Sequence, residues 1–218
     1  MGDESAATKS FVEKANQSYF SDINDFLETQ AGNYSIGLTP VMHVQIASPS
    51  SKRPPVLPDQ YSPVAVALWS LKMRYWAWRM DRTDGWPSSD IQLFVLYHDS
   101  KERQELDMSV AMRKGRFGLV NAFASKKLNS RNQVVMAHEL LHVFGATDKY
   151  IMGSGEPEYP FGYADPNQIP LYPQTRAEIT GGRIPLSSFA SEMPPSLDYC
   201  KIGQKTAEEI GFFAQLQK

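Results

Sequence analysis

The chain has 218 residues, of which 42% are hydrophobic and 21% are charged, and its formal net charge at pH 7 is −2. A chain of this length and composition can bury a substantial core, so we expect one domain, or one two-lobed domain, over residues 1–218. The near-neutral charge and the lack of a basic run argue against a nucleic-acid-binding protein. No apolar stretch has the length needed to span a bilayer.

Two elements are expected before residue 49. Apolar residues recur at roughly helical spacing over residues 9–29, and Gly32 follows, which predicts an amphipathic helix. Residues 38–47 alternate between apolar and polar side chains, with His43 among the polar ones, and this alternation predicts a strand.

A proline-rich loop is predicted over residues 49–63. Ser62 and Pro63 then supply an N-cap and a first-turn proline for a helix that extends to about Met80. The apolar run over residues 64–80 contains three basic residues, Lys72, Arg74 and Arg79, and predicts a buried helix. Its tryptophan and tyrosine side chains are expected in the core.

The middle of the chain predicts a sheet. Residues 91–98 form a near-continuous apolar run of strand length that ends in His98, so we expect a central strand covered on both faces. Residues 107–124 predict a hairpin, or two separate strands, around Gly115. Its second strand, residues 117–124, leads directly into the next predicted helix.

The C-terminal part is predicted to be irregular over residues 151–176, which are rich in proline, glycine and tyrosine. Three acids in this segment, Glu156, Glu158 and Asp165, are candidate calcium ligands. They lack a recognisable calcium-loop spacing, so solvated side chains are the simpler interpretation. The single cysteine, Cys200, excludes an internal disulfide and is expected to be a small buried hydrophobe.

A closing helix is predicted from about Thr206, because the spacing of Thr206 and Glu209 matches a capping box. Its apolar side chains, Ile210, Phe213 and Ala214, are expected to pack it against the rest of the C-terminal part.

A His-Glu-x-x-His pattern at residues 138–142 is the most informative feature of the chain. It lies in a predicted helix over residues 130–144, which Asn129 or Ser130 caps and Gly145 ends. Histidines four residues apart share one face of a helix, close enough to hold one metal ion. Imidazoles and a carboxylate in an apolar, buried helix are costly without such a partner, which favours a metal site over a chance match.

A third ligand is needed, because a catalytic zinc ion has three protein ligands and one position for water. After His138 and His142, only His43 and His98 remain, and both belong to predicted strands. A carboxylate is therefore expected, and Asp148 is favoured because the turn after the helix can bring it back to the metal.

The extended pattern over residues 138–150 resembles the metzincin group of zinc metallopeptidases, and is most similar to the snapalysin-type small bacterial proteases. Those proteases carry aspartate at the last ligand position and tyrosine two residues later. The resemblance implies that His138, His142 and Asp148 bind one zinc ion and that Glu139 is the general base.

The same resemblance implies an α+β, zincin-like fold of two lobes. The upper lobe, about residues 9–145, would hold a mixed twisted sheet, helices and the active-site helix. The lower lobe, about residues 146–218, would be irregular and end in a helix. Metzincins place a methionine turn beneath the zinc, and we expect this position at residues 177–182, with Thr180 replacing methionine, rather than at Met193.

Three alternatives to this interpretation stay open. The first two concern single residues, Glu178 and Tyr150, and the third concerns the function of the whole site. In a gluzincin-like arrangement Glu178, in a short predicted helical stretch, would be the third ligand and Asp148 would orient a histidine. Tyr150 is either a hydrogen-bond donor to the oxyanion or a packing side chain. The site as a whole could stabilise a non-catalytic binding domain, or serve a zinc amidase with a small substrate.

The sequence therefore predicts a zinc-dependent endopeptidase that acts on an extended polypeptide. The substrate is expected to pair with the edge of residues 117–124, just before the active helix. A monomer is expected. Because proteases of the resembled type are mostly exported, a secreted or extracytoplasmic location is favoured if a leader or anchor is missing from this sequence.

Overall fold

A computed structural model describes residues 1–3, 5–37, 40–56, 58, 62–82 and 89–212. The fold is α+β, as the sequence predicts. The helices of the described residues are α1 Ala6–Lys14, α2 Ser21–Asn33, α3 Pro63–Asp81, α4 Asn129–Phe144 and α5 Gln204–Glu209. The strands are β1 Gln92–His98, β2 Val110–Met112, β3 Phe117–Phe123, β4 Ala177–Glu178, β5 Ile184–Ser187, β6 Ala190–Glu192 and β7 Cys200–Lys201.

The largest sheet has three strands in the order β1-β3-β2. β1 runs parallel to β3, and β2 pairs with β3 in antiparallel fashion as the predicted hairpin. β3 is therefore the central strand, and the prediction that β1 is central was wrong. The outer edge of β1 is instead covered by the N-terminus, since the Asp3 amide donates to Tyr97 O and the Tyr97 amide donates to Met1 O, each at 3.0 Å.

Helices cover both faces of this sheet. Phe94 and Phe117 pack with the buried side of α3 on one face. Val120 and Ala122, which point the other way along β3, pack with α4 on the opposite face. The sheet thus forms the middle layer between α3 and α4, and most of the larger core lies on the α4 side.

Two N-terminal predictions were wrong. The helix predicted over residues 9–29 is two helices, because Ala15 is extended and the Asn16 side chain accepts from the Ser18 amide instead of continuing the helix. The strand predicted over residues 38–47 is absent from its described part, residues 40–47, while residues 38 and 39 lie outside the described residues. The alternating pattern has no neighbouring strand in the described chain with which to form a ladder.

α3 begins at the predicted Pro63 with Ser62 as its N-cap. The helix was expected to be buried, but only one of its sides is, at Trp69, Met73, Ala77 and Met80. Of its aromatic side chains, Trp69 is in the core, whereas Tyr75 is 62% and Trp78 is 50% exposed. A continuous apolar run has no hydrophobic periodicity. The sequence therefore does not show that only one side of the helix packs against the sheet.

The start of α4 differs slightly from the prediction. Leu128 occupies the N-cap position without a side-chain cap, and Asn129 is the first helical residue. The Asn129 side-chain amide instead donates to Tyr19 O at 3.2 Å, which ties the start of α4 to the segment before α2.

The C-terminal part is irregular over residues 151–176, as predicted, and then forms two small two-stranded sheets. Glu178 ends β4 rather than lying in a helical stretch. α5 has Gly203 as its N-cap, so the predicted capping box of Thr206 and Glu209 was wrong. Both side chains have other partners, described below. Ile210 packs against the core, whereas the predicted contacts of Phe213 and Ala214 fall outside the described residues.

Cys200 is a buried free thiol, as expected, and burial raises its pKa to about 12. None of the helices in the described ranges has the length and apolar character that crossing a membrane requires.

Gly145, which ends α4, has φ of 118°, and a Cβ on it would lie 2.9 Å from Arg113 Cζ. Gly145→Ala should therefore destabilise the fold by about 2 kcal/mol, from backbone strain and from displacement of the guanidinium. Urea unfolding measures this change. Gly153→Ala is the matched control, because φ is 96° there but nothing lies within 4 Å. Equal losses in the two variants would show that the Arg113 contact contributes nothing.

Candidate metal centre

The site is built on the C-terminal half of α4. Ala137, Leu140 and Leu141 anchor this part of the helix in the core. His138 and His142, one turn apart, emerge together on the remaining side, with ring centroids 4.5 Å apart and ring planes at 85°. Their side chains keep 15% and 16% of their surface exposed, so the pair is mostly buried but stays open to solvent.

The end of α4 brings the third predicted residue to this pair. Gly145 takes the left-handed conformation, and its amide and that of Ala146 both donate to Leu141 O, so the chain turns back on itself. Asp148 Oδ1 then lies 3.0 Å from His142 Nε2 and 3.3 Å from His138 Nε2. The two Nε2 atoms are 2.9 Å apart.

Hydrogen bonds on the far side of each ring fix which nitrogen carries the proton. His138 Nδ1 lies 2.8 Å from Ile179 O, and His142 Nδ1 lies 2.8 Å from Ala146 O. A backbone carbonyl only accepts, so each Nδ1 must donate. In a neutral imidazole the Nε2 atom is then an acceptor with its lone pair outward. Metal-binding histidines in proteins are commonly held in this way by carbonyls behind the ring.

Three acceptors therefore converge, two imidazole nitrogens and one carboxylate oxygen. Without a proton or a cation between them their lone pairs would repel one another. Zinc bonds of 2.0–2.2 Å at tetrahedral angles place neighbouring ligand atoms roughly 3.3–3.6 Å apart. The observed separations of 2.9, 3.0 and 3.3 Å are slightly shorter, so a small outward movement of the side chains would admit the ion. Among the described residues, His138, His142 and Asp148 form the one such group, with all ligand atoms within 4.8 Å of one another. The donor set and its spacing fit a divalent cation such as zinc.

The charges of these groups respond to one another. Burial alone would raise the pKa of Asp148, but its contacts with His138 and His142 hold that pKa well below the ordinary value. Burial lowers the pKa of His142, and the nearby Asp148 carboxylate outweighs it, so the net change is upward. Both shifts favour a negative carboxylate next to a protonated imidazole.

Glu139 lies beside the cluster and is 7% exposed. Burial raises the pKa of its carboxyl, while the two histidines partly oppose that rise. Its Cβ lies 3.9 Å from the position that a Cβ on Gly118 of β3 would take, so the side chain passes close to the central strand. Glu139 is not among the three convergent ligands, which leaves its carboxylate available as a base.

Glu178 holds the turn that supports His138. Its carboxylate is fully buried and accepts five hydrogen bonds, three on Oε2 and two on Oε1. The donors are the amides of Thr180, Gly181 and Gly203 and the hydroxyls of Thr180 and Thr206. Between these donors, Ile179 presents its carbonyl to His138 Nδ1. Glu178 therefore acts in the structure as the centre of a turn, and it does not join the convergent group.

The segment predicted to lie beneath the metal, residues 177–182, does contact the site through Ile179 O. Its Thr180 carbonyl also accepts from the Lys149 amide, one residue after Asp148. Met193, at the end of a different hairpin, is 40% exposed. The turn with Thr180 is thus the one that supports the histidine and the aspartate loop.

Lys149 is a supporting residue that the sequence did not reveal. It is 4% exposed, and its ammonium donates to Glu209 Oε2 at 2.8 Å and to Thr147 O at 2.9 Å. Burial tends to raise the pKa of Glu209, but the Lys149 contact lowers it overall. The pair joins the aspartate loop to α5. A partner 60 residues away in the chain leaves no local signal, and the residue looks like an ordinary surface lysine.

Tyr150 faces the site, with its ring centroid 6.5 Å from that of His138. Burial and the Asp148 carboxylate raise the pKa of its hydroxyl to about 12, so it stays protonated at neutral pH and can donate a hydrogen bond.

The other candidate ligands lie elsewhere. His43 is exposed, and His98 Nε2 lies 2.9 Å from Asn121 Oδ1 in the sheet. Of the three acids considered for calcium, Asp165 pairs with Lys201 at 2.7 Å. Glu156 and Glu158 join no ligand group within the described part of the chain.

Comparison with protein-family models, with curated proteins and with solved structures gave no match in any of the three. The function proposed below therefore rests on the residues of this chain and on their geometry.

Variants at Asp148 and Glu178 test which carboxylate is the third ligand. We expect Asp148→Ala to bind zinc at least about 100-fold more weakly, because one of three ligands is lost. Glu178→Gln should keep one equivalent of zinc but lose about 2–3 kcal/mol of stability, because an amide replaces a buried carboxylate that accepts five hydrogen bonds. Elemental mass spectrometry measures the zinc, and urea unfolding measures the stability.

Glu192 is exposed, so Glu192→Gln is the control for loss of one carboxylate. It should change neither the zinc content nor the stability to urea. Full zinc retention in Asp148→Ala together with loss in Glu178→Gln would favour the gluzincin-like arrangement instead.

Proposed function

We propose that the chain is a zinc-dependent endopeptidase of the metzincin type. The observation that carries this proposal is the convergence of His138 Nε2, His142 Nε2 and Asp148 Oδ1 with both Nδ1 atoms donating to backbone carbonyls. A zinc ion held there would lower the pKa of a water molecule bound to it and polarise the carbonyl of a peptide bond.

Glu139 is the proposed general base. Its carboxylate lies next to the convergent ligands in a site of low exposure, and burial raises its pKa. A base is most effective when its pKa approaches the working pH, so this upward shift suits proton abstraction from water. The same carboxyl would then deliver the proton to the leaving amine as the peptide bond breaks.

Substrate binding requires a correction of the predicted strand edge. Residues 117–119 of β3 pair with β1 on one side and with β2 on the other, so this part of the predicted edge is not free. β2 pairs with β3 alone among the described strands, and it also packs against α4. We therefore assign the extended polypeptide to the outer edge of β2, beside the active helix.

Tyr150 would assist as a neutral donor. Because its pKa is raised to about 12, its hydroxyl keeps its proton and can donate to the oxygen that gains negative charge during attack. Its ring, 6.5 Å from that of His138, stands close enough to the site for a substrate to bridge the two.

Replacing the proposed base gives a sharp test. Glu139→Gln should keep one equivalent of zinc, since Glu139 is not a ligand, but hydrolysis should fall by about 10²–10⁴-fold. His142→Ala serves as the comparison, because it should lose zinc and activity together. Peptide hydrolysis and zinc content are measured on the same preparations. A Glu139→Gln variant with parental activity would contradict the role proposed for this residue.

Digestion of a denatured protein mixture tests the substrate class. We expect cleavage that stops when a chelator removes the metal and returns when zinc is added back. Mass spectrometry of the fragments would report the cleavage sites. Cleavage of small amides alone would indicate an amidase. Stoichiometric zinc without any hydrolysis would indicate a zinc-stabilised binding domain.

A further inference from the structure

The outward side of α3 carries an apolar stripe. Five of its side chains are at least half exposed, from 50% at Trp78 to 70% at Val64. The members of the stripe are Val64, Leu68, Leu71, Tyr75 and Trp78. Their spacing alternates between four and three residues, so they lie in one line along the helix.

This stripe lies opposite the side of α3 that covers the sheet. Trp69, Met73 and Ala77 form the buried side, where they pack with Phe117. An ordinary surface helix has polar residues on the side away from the core. In α3 that side is apolar, and a continuous exposed apolar surface on a folded domain often marks a binding site.

Basic residues border the stripe. Lys72 and Arg74, both exposed, stand on its two sides, and the helix has one acidic residue, Asp81, at its last position. Past the end of the helix, Arg82 lies over the Trp78 ring with its Cζ 4.2 Å from the ring centroid. The surface therefore combines an apolar centre, aromatic side chains near one end and a positive border.

We propose that this face of α3 binds the surface of an anionic lipid bilayer. Apolar side chains of an interfacial helix enter the boundary of the acyl chains, while flanking lysine and arginine side chains reach the anionic headgroups. Tryptophan and tyrosine favour the same depth of the bilayer. α3 lies on the bilayer and does not cross it, in keeping with the absence of a spanning helix from the described residues.

Charge favours lipid over a second copy of the chain. Pairing of two α3 helices along the stripe would bring Lys72 and Arg74 of one copy towards the same basic residues of the other, with Asp81 as the one acid of each helix. An anionic bilayer instead offers negative charge along the whole border.

The proposed membrane face leaves the candidate metal centre uncovered. α3 and α4 pack on opposite faces of the same sheet, so lipid held against α3 lies on the far side from the histidine pair. Binding to lipid does not rest on the proposed peptidase activity, and either proposal can fail without the other.

Sedimentation of the full chain with vesicles tests the proposal. Vesicles of phosphatidylcholine with about 30% phosphatidylserine should bind the chain at least tenfold more tightly than pure phosphatidylcholine vesicles, and high salt should weaken binding. Leu68→Ser/Leu71→Ser should reduce binding by about tenfold or more, since it removes apolar surface from the stripe. Both residues are exposed, so circular dichroism should show an unchanged fold.

A charge-matched pair of variants isolates the basic border. Lys72→Glu/Arg74→Glu should abolish binding to the anionic vesicles, whereas Lys126→Glu/Lys127→Glu, an equal change at two exposed lysines elsewhere, should retain most of it. If both double variants lost vesicle binding equally, net charge alone would explain the loss, and the assignment to α3 would be overturned. Equal binding to both kinds of vesicle, or none, would also overturn it. So would a lipid-independent dimer that Leu68→Ser/Leu71→Ser converts to a monomer.

Discussion

The convergence of three hydrogen-bond acceptors at one point is the constraint on which the site depends. His138 and His142 turn their Nε2 atoms towards each other and towards Asp148, while carbonyls behind the rings hold the protons on Nδ1. Such an arrangement is unfavourable unless a positive charge occupies the centre. The rest of the structure holds the three groups together despite this unfavourable free energy.

Two supports outside the motif keep the three groups in position. Glu178, with five hydrogen bonds, shapes the turn whose Ile179 carbonyl orients His138. Lys149, buried against Glu209, ties the loop that carries Asp148 to α5. Both supports join the end of the active helix to the C-terminal part of the chain. Rigid support of this kind lets a site hold its geometry before a ligand arrives.

Local patterns predicted the parts of the structure that depend on neighbouring residues. α4 has helical spacing, and Gly145 provides its end, so the positions of His138 and His142 followed from the sequence. The strand predicted over residues 38–47 failed because alternation does not supply a partner strand. Glu178 could not be interpreted correctly, because two of its donors come from Gly203 and Thr206, about 25 residues further along the chain.

Anomalous diffraction at the zinc absorption edge, from crystals grown with zinc, tests the central claim most directly. We expect one peak about 2.0–2.2 Å from His138 Nε2, His142 Nε2 and Asp148 Oδ1, with the fourth position open to solvent. The Nδ1 atoms should keep their carbonyl partners. A structure without zinc at this point, or with a fourth protein ligand that closes the site, would contradict a catalytic metal centre.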